Sequence, residues 1–101
     1  MKCIKELVDH IYEEINDACE YASQAIEAKD KDRTLGDTYI NIAKEEMNHM
    51  NRLHEQVTRL IAEQKTKAEE IPTGMIEIYE WEHEKIIKEA AKVQVIIGLY
   101  K

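Results

Sequence analysis

The chain has 101 residues, of which 35% are charged and 44% hydrophobic, with three Gly, one Pro and no Phe. That length holds one domain, and so few Gly and Pro exclude a turn-rich β fold in favour of a few long helices. A net charge of −7, from 14 basic and 21 acidic residues, excludes a nucleic-acid backbone as partner, and no apolar run approaches the roughly 20 residues of a membrane span.

The first predicted helix covers about residues 3–29. Ile4, Val8, Ile11, Ile15, Ala18, Ala22 and Ala25 recur every three or four positions, the stripe of a helix with one buried face. Acids interrupt the opening "MKCIKELVDH" by residue 6, so it does not read as a signal peptide. Cys3 and Cys19 both fall on this helix. Their 16-residue separation is roughly 24 Å along its axis, too far for a disulfide. Two reduced thiols fit a cytoplasmic location. In "KDKDRTLGD" (29–37), Asp, Thr and Gly supply a turn and caps. A second helix is predicted over about 35–70, its seam reading Tyr39, Ala43, Glu46, Met50, Leu53, Val57 and Leu60. "IPTG" (71–74) is the clear breaker. The third helix is predicted over about 73–99, with Ile76, Tyr79, His83, Ile86, Ala90, Val93 and Ile97 on its seam. No segment alternates as a strand does, so residues 1–101 read as one all-α domain.

Glu46 stands in the middle of the second seam, and His49 follows three residues later. On the first helix Glu14 and Tyr21 are two turns apart and share a face. If the two helices are antiparallel, Glu14, Glu46 and His49 lie at one height. An isolated buried carboxylate costs several kcal/mol or takes up a proton instead. A cation removes that cost. Carboxylates are hard ligands and imidazole suits first-row metals such as iron, while Mn and Zn accept the same set. The i, i+3 spacing lets Glu46 and His49 reach one ion, and Glu-x-x-His is the building block of di-metal carboxylate bundles. By height, His10 and His54 can also face each other, although two solvent-facing histidines are the plainer reading. Met47 and Met50 read as core filler and Cys19 as a small buried residue.

Over residues 4–65, the set Glu14, Tyr21 and Glu46-x-x-His49 resembles the first half of the ferritin and rubrerythrin family. The resemblance implies a ferritin-like antiparallel hairpin. It makes Glu14 a terminal iron ligand, Glu46 a carboxylate bridging two irons, and His49 a cap on one of them. Tyr21 packs beside the site. Full members have four helices with a second Glu and a second Glu-x-x-His, whereas this chain has three helices. Glu80-x-x-His83 on the third helix offers such a motif, but within one chain its height differs from that of His49 by about 11 residues, roughly 16 Å. Two copies of the hairpin about a two-fold axis supply four carboxylates and two histidines, completing a four-helix-type bundle. That arrangement is similar to the encapsulated ferritins, whose short subunits assemble their iron site between chains. Glu80 and His83 then form a second site, or join the first if the third helix is exchanged.

The expectation is therefore a homodimer or higher homo-oligomer that holds a di-iron site and oxidises Fe(II) with oxygen or peroxide, a ferroxidase. Its rival is a non-catalytic helical assembly protein with a structural or vestigial metal site. A peroxide-reducing protein of the rubrerythrin type would need a separate electron donor, since the chain lacks a four-cysteine rubredoxin domain.

Overall fold

Long apolar stripes on an Ala- and Glu-rich chain produce three helices laid side by side. The computed structural model describes residues 2–66 and 73–101, with α1 at Lys2–Ala28, α2 at Arg33–Thr66 and α3 at Thr73–Leu99. Residues 67–72, the expected end of the second helix and most of the breaker, lie outside the described residues, as do the side chains of Cys3 and Ile76. There is no strand among the described residues, and none of the helices is long and apolar enough to cross a membrane. The molecule is a rod with principal extents of 58 × 17 × 15 Å.

α1 and α2 form an antiparallel hairpin across the turn at 29–32. Asp32 caps α2: its Oδ1 accepts the Leu35 N–H at 3.1 Å, satisfying one of the orphan donors at the helix start. Small residues draw the helices together at this end. Ala22, Ala25 and Ala43 are fully buried. At Gly36 a Cβ would stand 3.1 Å from Lys29 Cα and 3.2 Å from the Ala25 carbonyl oxygen, so this close approach needs glycine. All seven residues expected on the α1 seam are buried.

The α2 seam is turned from its expected position. Ala43, Met50 and Val57 are buried as expected, but Ile40, Met47 and Ile61 are buried with them. Tyr39, Glu46, Leu53 and Leu60 lie at the seam's edge, only half-buried. The cause is α3, which covers one side of the hairpin. Ile86 and Val93 of α3 enter the core formed by Ile11, Ile15, Met47, Met50 and Val57. Polar ties fix α3 along its length. The Tyr12 hydroxyl donates to Glu82 Oε2 at 3.2 Å, and Lys65 pairs with Glu80. At the far end the Tyr100 hydroxyl donates to Asp37, and Arg33 lies over the Tyr100 ring, 4.8 Å from its centroid.

Candidate metal centre

Successive residues of a helix are about 100° apart, so residues two positions apart stand about 200° round, on nearly opposite sides. Tyr12 faces α3 through Glu82, which turns Glu14 to the other side of the hairpin. The same relation holds on α2, where Asn51 lines a groove of about 220 Å³ against α3 and His49 faces away. Glu46 is carried with His49, three residues apart on one face. Antiparallel pairing then brings Glu14 opposite them.

The three groups converge. His49 Nδ1 is 3.6 Å from Glu14 Oε2 and 4.0 Å from Glu46 Oε1. One ligand atom from each lies within 4.8 Å of the other two. These spacings are slightly wider than the roughly 3 Å between ligand atoms held about 2.1 Å from a first-row cation. The side chains of Glu14 and Glu46 are 25% and 20% exposed, that of His49 51%. The glutamates are thus largely withdrawn from water at the hairpin's edge, while the imidazole stands at its rim and not on the core.

The electrostatics of this group are unsettled without a cation. Glu14 Oε2 is inaccessible to solvent and has no hydrogen-bond partner. Hydrogen bonding to Glu14 pushes the Glu46 carboxyl above its ordinary value, as do burial and the negative charge of Glu14, while His49 pulls it down. Two carboxyls held this close favour sharing a proton over both ionising. A divalent cation would replace that proton, satisfy Glu14 Oε2 and accept the imidazole nitrogen, so the donor set fits a first-row metal.

Its surroundings are apolar and open on one side. Leu7 and Tyr21 flank Glu14 along α1 at seven-residue intervals, and Leu53 and Leu60 continue the Glu46 face of α2 at the same interval; all four are half-buried. Tyr21 packs against Tyr39, ring centroids 6.1 Å apart and planes tilted by 31°. Leu7, which lies off the predicted seams, forms the walls of this face together with Leu53 and Leu60 of the predicted α2 seam. Their signal was their heptad spacing from Glu14 and Glu46.

Glu80 and His83 lie elsewhere within the chain. Glu80 pairs with Lys65, and His83 stacks on His54 in the α2–α3 seam, ring centroids 4.6 Å apart and planes within 5°. The second His83 tie is to the Thr58 hydroxyl, at 3.3 Å. Parallel stacked rings direct their lone pairs in parallel planes and do not converge on one ion. His54 Nε2 is buried without a partner. Burial and then the His83 charge push the His54 pKa down, with Glu55 opposing. His10 and His54 do not face each other: His10 turns to Glu13, at 3.7 Å. The His54–His83 pair escaped the sequence reading, although His54 stands two turns beyond Met47 on the same side.

No protein-family model matches the chain, nor does any curated protein or solved structure.

Proposed function

We propose that this chain is a ferritin-like, iron-binding helical protein. Glu14, Glu46 and His49 hold one metal ion per chain, and a two-fold partner brings a second set of the same ligands to the open face. The pair of sites oxidises Fe(II). The observation that carries this reading is the convergence of the three ligand groups within 4.8 Å on the side of the hairpin away from α3. Three protein ligands leave an ion undersaturated, and the half-buried Leu7, Leu53 and Leu60 supply an apolar rim for a second copy to cover.

Iron is both guest and substrate here. Each Fe(II) gives up one electron, and two of them reduce one oxygen molecule with two protons to hydrogen peroxide, or one peroxide with two protons to two waters. The residues' part is electrostatic. Anionic oxygen ligands favour the trivalent over the divalent ion, which lowers the potential and drives the oxidation. Glu14 and Glu46 would supply the anionic oxygens that hold the ion, Glu46 being the carboxylate that would reach a second one. His49 is the neutral ligand at the rim, nearest to solvent. Tyr21, packed on Tyr39, supports the wall of the site.

Aerobic addition of Fe(II) followed by the absorbance of Fe(III) tests the reading. The chain should speed Fe(III) formation over buffer, and Glu46→Ala should abolish the gain. Equal oxidation by both would overturn it. The half-exposed His49 favours a second reading, a metal staple that joins two copies without turnover. Metal-dependent association with no acceleration of Fe(II) oxidation is its expected signature.

A further inference from the structure

α3 carries a second apolar face that the hairpin does not use. Of the six exposed large hydrophobic residues among those described, five lie on α3: Ile78, Ile87, Trp81 at 57% exposure, Leu99 at 61% and Val95 at 65%. Val95 stands about 200° round the helix from buried Val93. Trp81, Lys88 and Val95 recur at intervals of seven, so they draw one stripe down the outer surface. Lys85 stands beside the stripe, its Nζ over the rings of Trp81 at 5.0 Å and Tyr12 at 5.9 Å. The outward seam carries Trp81, Glu84, Lys88, Lys92 and Val95, with Glu77, Ile78 and Leu99 at its ends.

We infer that this seam pairs with the same seam of a second copy, antiparallel, about a two-fold axis at Lys88. The charge pattern selects the partner and its direction. About that axis Trp81 faces the partner's Val95, and Glu84 faces the partner's Lys92, each contact occurring twice. In a parallel, in-register pair Glu84 would face glutamate and Lys92 would face lysine, which is destabilising. The two Lys88 side chains meet at the axis, where their long stems reach out to water and each head comes within a turn of the partner's Glu84. Among the described residues Lys92 makes an exposed contact with Glu89 at 3.2 Å. Such a contact is worth little, so Lys92 exchanges it readily. An acidic helix face would not complement this seam, because it offers nothing apolar to Trp81 and Val95.

This interface lies on the far side of the molecule from Glu14, Glu46 and His49, and it needs no metal. A seam one helix wide falls at the small end of specific interfaces, so micromolar affinity is expected. The test is sedimentation equilibrium of the full chain in chelator, with helicity checked by circular dichroism. The chain should be dimeric. Glu84→Lys and Lys92→Glu should each weaken the dimer at least about tenfold. The double variant carrying both exchanges should recover to within a few-fold of the parent, because the opposed charges are restored. Glu46→Ala should leave this dimer intact, which separates it from metal-driven association on the other face. A monomer at concentrations on the order of 100 µM would overturn the inference. So would single exchanges that leave the dimer unchanged, or a double variant no tighter than the singles.

Discussion

Glu46→Gln should stabilise the metal-free protein and destabilise the metal-bound one relative to the parent. In the free chain the Glu46 carboxyl is raised above its ordinary 4.5, so the folded state holds that proton more tightly than the unfolded state. Its favourable contribution is complete in acid. It is lost as pH rises from about 4.5 through the raised value. Above that raised value the Glu46 carboxylate stands with its ligand oxygen within 4.8 Å of one from Glu14. At that separation the repulsion is ~1 kcal/mol at the dielectric of water and ~3.5 kcal/mol at an effective dielectric of 20. The glutamates are largely but not fully withdrawn from water, and His49 offsets part of the repulsion, which leaves about 1–2 kcal/mol. For a domain of this size that corresponds to a melting temperature roughly 5–10 °C higher for Glu46→Gln in chelator. The gain should close as the pH is lowered toward 4. Added Mn(II) or Fe(II) should reverse the order. A ligand at 100 times its dissociation constant stabilises by about 2.7 kcal/mol, and the glutamine should forfeit most of that. Thermal melts by circular dichroism, with chelator and with metal, measure all of this. A variant that melts at or below the parent in chelator, or gains as much from metal, would refute the reasoning.

Tyr12→Phe removes the hydrogen bond to Glu82 and should cost about 1 kcal/mol in urea unfolding. The Tyr12 phenol is pushed up to about 12 by burial, the Glu82 charge and that hydrogen bond. Its contribution is therefore present below pH 10 and lost as pH rises toward 12, and the late part of the tyrosinate absorbance titration should shrink by one tyrosine in the variant. His54→Leu should flatten the acid side of the stability profile. The folded state disfavours a charged His54, so the parent loses stability as pH falls below the ordinary 6.5, and an unchanged slope in the variant would contradict this. Asp32→Ala removes the cap on Leu35 and should lower stability by about 1 kcal/mol in the same urea assay.

The helices were legible because each long stripe has helical period, and the α1 seam was legible to the residue. α1 is buried on a single arc centred on Ile11 and Ala18, so only one stripe could face inward. α2 carries two usable stripes. One runs through Ile40, Met47 and Ile61, the other through Glu46, Leu53 and Leu60, and both neighbour Met50. Which of them is buried depends on the side α3 takes, and periodicity holds no information about that. For this reason Glu46 lies at the edge of the core and not in its middle. The same ambiguity affects α3, which is apolar on two faces, and it concealed the contact between His83 and His54. The convergence of Glu14 with Glu46 and His49 was legible, because two helices joined by a turn as short as 29–32 must run antiparallel and the height of each residue follows from counting.

Anaerobic Fe(II) titration of the full chain, followed by native mass spectrometry, tests the central claim most directly. The account requires one iron per chain, carried on an even number of chains, and loss of that iron in Glu14→Ala, Glu46→Ala and His49→Ala. Iron bound no better by the parent than by these variants, or iron carried by a lone chain with no association, would contradict it.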